Sequence, residues 1–129
     1  MYIGEKLIDR PFRWGIVGGG KTSQVGYKHR LGAMRDNTSF VLTAAAFDVD
    51  AERCKEFGRN LCMDEDRCYP DYKTMFEAEA KREDGIEVVD VATPNFLHYE
   101  VTKAALEAQN LMESLFVWHE KSGRTYRLS

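Results

Sequence analysis

Apolar runs alternate along the chain with amphipathic segments, and this alternation predicts an α/β protein. The apolar runs cover Phe12 to Val17, Phe40 to Phe47, the pair Cys68-Tyr69, and Ile86 to Thr93. The second run is almost continuously apolar, as in a strand that is buried on both faces of a parallel sheet. Helices are predicted between the runs, over 23–35, 51 to 58 or 60, 71–82 and 98–109. This order favours a doubly wound parallel sheet, whose ligands bind at the carboxyl ends of the strands.

The first strand leads directly into three glycines, Gly18 to Gly20, and then into a predicted helix. Glycine permits positive φ and a close approach of backbone to ligand, and the N–H groups of a first helical turn attract anions. Gly18 and Gly20 match the first two positions of the dinucleotide fingerprint G-x-G-x-x-G, and the small Ser23 takes the third. The loop therefore predicts a site for the phosphates of a dinucleotide, with a glycine-rich turn that binds nothing as the alternative.

Asp48 follows the second predicted strand, where an acid can accept hydrogen bonds from both hydroxyls of an adenosine ribose. It lies 30 residues after Gly18, whereas roughly 20 is usual, so the first helix and its loop must be long. A carboxylate repels a 2′-phosphate and thus favours NAD over NADP. Arg53, one helical turn further on, could compensate, which keeps NADP as the alternative. Asp50 is the better candidate for the helix N-cap.

Composition limits the classes of function. A chain of 129 residues with 43% hydrophobic and 30% charged residues is typical of one globular domain. A formal charge of −3 gives no basic surface for nucleic acid, and no apolar run reaches the length of a membrane span. The first 13 residues do not resemble a secretory leader. We therefore expect a cytoplasmic protein with neither nucleic acid nor a membrane as its partner.

Three local clusters of polar residues are interpreted as structural. One is basic, and we interpret it as a solvated face of the first helix: Lys28, His29, Arg30 and Arg35. The acidic stretch 63–66 lacks the alternating ligands and central glycine of a calcium loop and is interpreted as a solvated turn. The cysteines lack the spacing of a zinc site and are expected to be free thiols: Cys54, Cys62 and Cys68. No metal site is predicted.

These stretches resemble the Gfo/Idh/MocA family, named after glucose-fructose oxidoreductase, inositol dehydrogenase and a rhizopine-catabolism protein. The resemblance runs from Arg13 to Ala108 and includes four motifs: Gly15-Ile16-Val17-Gly18-Gly19-Gly20, Phe47-Asp48-Val49-Asp50, Asp84-Gly85-Ile86 and Thr93-Pro94-Asn95-Phe96-Leu97-His98. The last motif is the most specific. The resemblance implies a Rossmann-like dinucleotide-binding domain with NAD, or alternatively NADP, as cofactor. In a complete enzyme it implies a sugar or polyol of the inositol type as substrate.

The resemblance also implies a role for individual residues. The glycine loop and the start of the helix would hold the pyrophosphate through Gly18, Gly20, Lys21, Thr22, Ser23, Gln24 and Val25. Asp48 would bind the adenosine ribose. The nicotinamide side would be lined by Thr93, Pro94, Asn95 and His98. For His98 the alternative is a capping or packing role at the helix N-terminus.

The resemblance weakens after Ala108. Members of the family continue with a further strand, a Glu-Lys-Pro motif whose lysine lies beside the nicotinamide, and a large substrate domain. We do not recognise these here, and Lys121 is a poor substitute for that lysine, so no catalytic residue is assigned. We expect a Rossmann-like sheet that lacks one strand and the substrate domain, divided into a lead-in (1–12), a dinucleotide-binding domain (13–109) and an atypical tail (110–129).

The tail permits two structures. Residues 115–122 resemble the family's next helix and 124–128 the strand after it, which is the favoured interpretation. The alternative is a hairpin, because both stretches are rich in strand-forming residues. Phe116 and Trp118 are expected to form either a dimer contact or an aggregation-prone patch. Together with the sheet edge left by the missing strand, they make a homodimer one possible assembly.

Three functions remain open. The first is the NAD(P)-binding domain of a sugar or polyol oxidoreductase. The second is a nucleotide-binding chain that is not catalytic by itself, including a regulatory or structural Rossmann module. The third is a methyltransferase that binds S-adenosylmethionine, against which the motif from Thr93 to His98 argues.

Overall fold

The computed structural model describes residues 10–35 and 39–108 and the backbone of two strands at 116–119 and 124–126. The elements, in chain order, are β1 (Phe12–Gly18), α1 (Gln24–Met34), β2 (Phe40–Ala46), α2 (Ala51–Asn60), α3 (Tyr72–Ala80), β3 (Val88–Ala92), α4 (His98–Ala108), β4 (Phe116–His119) and β5 (Arg124–Tyr126). Two short 3₁₀ turns occupy Glu65–Arg67 and Asn95–Leu97.

The strands form one sheet in the order β2-β1-β3-β4-β5. The pairs β1–β2, β1–β3 and β3–β4 are parallel, and β4–β5 is antiparallel. Strands that alternate with helices around a parallel sheet confirm the predicted α/β, Rossmann-like class. Because the carboxyl ends of β1, β2 and β3 meet at one edge, the segments that follow them also meet there.

Two predictions about strands need correction. The predicted third strand at Cys68-Tyr69 is reduced to a single parallel bridge between Cys68 and Ala45, with a hydrogen bond of 2.8 Å from the Tyr69 N–H to the Ala45 carbonyl. The strand expected to be missing after α4 is present as β4, which lies parallel to β3. An uncovered β3 would leave a row of backbone groups unpaired, and β4 satisfies them.

The favoured interpretation of the tail is wrong at 116–119, which is a strand and not a helix. The antiparallel pairing of β4 with β5 confirms the alternative hairpin. Phenylalanine, valine and tryptophan favour strands, and an open sheet edge beside them decides the conformation. The side chains of Phe116 and Trp118, and all of Lys121, lie outside the described residues. The homodimer and the division into 1–12, 13–109 and 110–129 stay predictions.

The hydrophobic core has two halves, one on each face of the sheet. Val89 and Val91 of β3 pack with Met75 of α3 and with α4. On the other face, Trp14 and Ile16 of β1 pack with residues of β2, α1 and α2. Both halves leave the carboxyl edge of the sheet accessible, and this edge holds the candidate site.

A buried ion pair joins α3 to the turn that precedes it. The Arg67 guanidinium binds both carboxylate oxygens of Glu79, a side chain that is only 1% exposed. The Tyr69 hydroxyl donates to the same carboxylate at 2.6 Å, and the Ile86 N–H donates at 3.2 Å. Burial, followed by the bond to Glu79, raises the pKa of Tyr69. Sequence patterns did not reveal this cluster, because its members are distant in sequence and each is common on surfaces.

Candidate functional site

The loop between β1 and α1 has a backbone that only glycine adopts easily. Gly18 and Gly19 have φ angles of 76° and 65°. A Cβ atom on Gly18 would lie 2.7 Å from the Ala92 carbonyl oxygen at the end of β3. The loop therefore crosses the carboxyl end of β3 at a distance that leaves no room for a side chain, as the predicted phosphate loop requires.

The close packing of α1 on the loop, which the sequence predicts at Ser23, occurs at Gly26 instead. Ser23 is the N-cap of α1, and its hydroxyl accepts a hydrogen bond of 3.0 Å from the Gly26 N–H. A Cβ atom on Gly26 would lie 2.4 Å from both the Cα and the carbonyl oxygen of Gly19. Close packing of the helix on the loop thus depends on Gly26, and the interpretation that Ser23 replaces the third fingerprint glycine is corrected. No acidic residue occupies the first turn of α1, so the helix dipole is left to attract an anion.

A cavity of about 600 Å³ lies between this loop, the ends of β2 and β3, and α2. Cavities of this size commonly hold small-molecule ligands and cofactors. Nine of the residues predicted from the sequence line it: Gly18, Gly20, Lys21, Thr22, Ser23, Val25, Asp48, Thr93 and Pro94. The structure thus gathers the three stretches that are separated in sequence around one space.

Asp48 is held in one orientation at the rim of this cavity. Its Oδ1 accepts hydrogen bonds of 3.0 Å from the Asp50 N–H and 3.0 Å from the Arg53 guanidinium. The Asp50 N–H, with Arg53 adding to it, holds the pKa of the Asp48 carboxyl below its usual range. Asp50 caps α2, as predicted, through a bond of 3.0 Å from the Arg53 N–H. Asp48 is therefore an ionised acceptor at neutral pH.

The sequence interpretation missed most of the wall that α2 contributes. The side of this helix that faces the cavity presents Arg53, Glu56, Phe57 and Asn60. Of these four residues, the sequence points only to Arg53, as a neighbour of Asp48. The spacing i, i+3, i+4, i+7 marks one face of a helix and could have revealed these residues as a set.

Three predicted site residues do not line the cavity. His98 is the first residue of α4 and is 4% exposed, and its Nε2 lies 2.6 Å from the Thr93 carbonyl oxygen. This contact fixes the loop after β3, as the packing alternative for His98 requires. Asn95 is exposed in the 3₁₀ turn, and Gln24 lines a neighbouring groove between α1 and α2. The cofactor contacts assigned to these three stay predictions.

The interpretation of the basic cluster on α1 as solvated is wrong for two of its members. Arg30 is buried, donates a hydrogen bond to the Gly19 carbonyl and lies over the Phe57 ring at 4.8 Å from its centroid. His29 is partly buried, with its Nδ1 2.7 Å from Oδ2 of Asp90 on β3. His29 therefore faces β3, whereas Arg30 faces the glycine loop and α2. Lys28 and Arg35 are exposed.

The described residues hold neither a metal-binding cluster nor a membrane-spanning helix. Across residues 10–35 and 39–108, no group of His, Cys, Asp and Glu side chains could hold a metal ion. In the same part of the chain, no helix has the length and apolar character needed to cross a membrane. Cys54 and Cys68 are buried, Cys62 is exposed, and all three are free thiols, as predicted.

Known proteins match this chain over most of its length. Residues 12–117 match the model of the Gfo/Idh/MocA oxidoreductase family, NAD-binding Rossmann fold. The uncharacterized oxidoreductase YfiI of Bacillus subtilis (strain 168) is 68% identical over 108 residues, which are 84% of this chain and 28% of that protein.

Solved structures show the same likeness. The inositol dehydrogenase homolog of Azotobacter vinelandii, complexed with NAD+, is 55% identical with a TM-score of 0.81, over 91% of this chain and 28% of that one. The structure of this homolog complexed with NADH and myo-inositol is 55% identical in sequence with a TM-score of 0.78, over 85% of this chain and 27% of that one. The chain spans little more than a quarter of the length of these relatives.

Proposed function

Since this chain belongs to the Gfo/Idh/MocA oxidoreductase family, we propose that it binds NAD in the cavity between the glycine loop and α2. The observation that carries the proposal is the juxtaposition of the loop with the ionised Asp48. The loop offers backbone N–H groups and a helix N-terminus to the two phosphates. Asp48 offers an acceptor to the ribose hydroxyls. The two ends of the cavity thus match the two polar parts of an adenosine diphosphate.

The wall that follows β3 is the part of the cavity that suits the nicotinamide half of the dinucleotide. Thr93 and Pro94 follow β3 and line the cavity beside Gly18, so the nicotinamide half is directed along this loop. The hydrogen bond of 2.6 Å between His98 and the Thr93 carbonyl holds the loop in place. When bound, the nicotinamide supplies hydride transfer. The residues of this chain bind and orient it.

We extend the proposal to the whole protein as an NAD-dependent oxidoreductase of a polyol of the inositol type. The support is the A. vinelandii homolog, which was crystallised with NADH and myo-inositol. No residue of the described cavity is assigned an acid–base role. For the 129 residues alone we propose binding without turnover.

Asp48 makes NAD the favoured cofactor over NADP. Its carboxylate would face the 2′-phosphate of NADP, and its depressed pKa keeps it charged. Arg53 is bound to Asp48 across 3.0 Å and so reduces this repulsion without removing it. We therefore expect a preference for NAD with measurable binding of NADP.

Replacing Asp48 with asparagine is expected to weaken NAD binding about tenfold or more, because hydrogen bonds to a charged acceptor contribute about 1.5–3 kcal/mol. Asparagine retains an oxygen for the Asp50 N–H but loses the charge. The preference for NAD over NADP should narrow at the same time. Calorimetric titration of the folded chain with each dinucleotide measures both effects.

Glu52→Gln is the matched control for this experiment. Glu52 lies in the first turn of α2, is exposed and does not line the cavity. Its replacement removes the same charge and should leave the affinity unchanged. The proposal fails if the folded wild-type chain binds no NAD at millimolar concentration, or if it binds S-adenosylmethionine instead.

A further inference from the structure

Arg30 is a buried cation directly behind the glycine loop. It is 7% exposed, and its partners among the described residues are the Gly19 carbonyl and the Phe57 ring. Neither partner carries a charge. Asp90 attracts Arg30, but the contacts of the described residues show no hydrogen bond or ion pair between the two side chains; Oδ2 of Asp90 lies 2.7 Å from His29 Nδ1 instead.

A cation in this position is costly without a counter-charge. Removing an ion from water carries a penalty of several kcal/mol, which a carbonyl and an aromatic face offset only in part. Burial lowers the pKa of Arg30, and the attraction of Asp90 partly counteracts this. Arginine nevertheless stays protonated in proteins. The fold therefore contains a buried positive charge that an anion bound at the neighbouring loop would stabilise.

Arg30 also connects the two walls of the cavity. Gly19 belongs to the loop, and Phe57 belongs to the wall that α2 forms. The hydrogen bond to Gly19 engages a carbonyl oxygen that would repel a phosphate if it turned toward the ligand. It also stabilises the positive φ of 65° at that residue.

We infer that Arg30 is a positioning residue for the pyrophosphate: it fixes the loop through Gly19 and supplies a buried counter-charge to the two phosphates. The inference rests on the proposed function, because it assumes that a dinucleotide occupies the cavity. It concerns a residue that lies outside the glycine fingerprint and does not line that cavity.

The test separates binding of phosphates from binding of the nucleoside. Wild type, Arg30→Met and Arg30→Lys are titrated with NAD, ADP and adenosine, and binding is followed by NMR chemical shifts. Arg30→Met should bind NAD and ADP about tenfold or more weakly, which corresponds to about 1.4 kcal/mol per factor of ten. Adenosine binding should not change. Arg30→Lys should give intermediate affinities, because it keeps the charge and loses the planar group that stacks on Phe57.

Arg35→Met is the matched control, since Arg35 is exposed at the C-terminal end of the same helix. It should bind all three ligands like wild type. If wild type binds no NAD, the proposed function itself fails. If wild type binds NAD and Arg30→Met binds it equally well, only the inference on Arg30 is overturned.

Two further outcomes are also decisive. Equal losses for adenosine and ADP would show that Arg30 merely maintains the fold, and would overturn the inference. If Arg30→Met does not fold, Arg30→Lys decides: weaker NAD and ADP binding with unchanged adenosine binding supports the inference, and wild-type affinity for all three ligands overturns it.

Discussion

Replacing Arg67 with methionine is expected to lower the free energy of unfolding by about 3–5 kcal/mol, because the change leaves the Glu79 carboxylate buried without its cation. Glu79 is almost fully buried, and its other donors are the Tyr69 hydroxyl and the Ile86 N–H. These two neutral donors cannot replace a guanidinium. Such a loss is a large part of the total stability of about 5–15 kcal/mol that is usual for a domain.

Urea unfolding, extrapolated linearly to water, measures this effect. Arg59→Met is the matched control, because the ion pair of Arg59 with Glu65 is exposed at 51% and 45% of the two side chains. An exposed pair contributes at most about 1 kcal/mol. Similar losses in the two variants would show that the buried position of Arg67 gives it no special role.

Loss of the buried ion pair in Arg67→Met should also disturb the cofactor site. Cys68 and Tyr69 follow Arg67 directly, and this segment pairs with Ala45 at the end of β2. Asp48 lies three residues beyond Ala45. We therefore expect the buried ion pair to support the segment that presents Asp48, although it touches no part of the cavity.

Hydrophobic patterning predicted β1, β2 and β3 because each lies in a largely apolar run. The helices α2 and α3 begin after residue types that commonly cap helices, Asp50 and Asp71. A cap depends on the residues next to it in sequence, so it can be predicted without knowing which elements pack against the helix. The tail was different, because the same apolar residues suit a helix or a strand until the edge of β3 is available to pair with them.

The parts of the candidate site that could be predicted are those in which the local backbone conformation requires a particular residue type. Gly18 takes the first position of the fingerprint, and Asp48 follows β2 as the fingerprint's acid does, although its spacing from Gly18 is longer than usual. Both leave local signals, because one is a turn with positive φ and the other is an acid directly after a strand. Arg30 left no such signal, because a buried arginine looks in sequence like a solvated one. Phe57 left only the helical spacing of its face of α2, and its contact with Arg30 forms only in the folded chain.

The role of Gly26 shows why spacing in a motif is an incomplete guide. The fingerprint assigns close packing to the sixth position, which is Ser23 here, but the approach of helix to loop occurs three residues later. The N-cap at Ser23 sets where α1 begins, and the helix turns Gly26 toward Gly19 one turn further on. The contact is defined by the path of the helix and not by a count from the first glycine.

Gly26→Ala is accordingly expected to lower the free energy of unfolding by about 2–3 kcal/mol and to weaken NAD binding about tenfold or more. The new Cβ would lie 2.4 Å from backbone atoms of Gly19, so the loop or the helix must move. Either movement displaces the N–H groups proposed to bind phosphate. Thermal unfolding with and without NAD, together with calorimetric titration, measures the two effects.

Gly32→Ala is the matched control within the same helix. A Cβ atom on Gly32 would meet nothing within 4 Å, so alanine should raise stability by about 0.5–1 kcal/mol through its better helix propensity. NAD affinity should stay unchanged. If both alanine variants are stabilised and bind NAD like wild type, the packing of Gly26 on Gly19 does not determine the shape of the loop. If only Gly26→Ala loses both stability and affinity, the packing of α1 on the loop and the binding of the dinucleotide depend on the same contact.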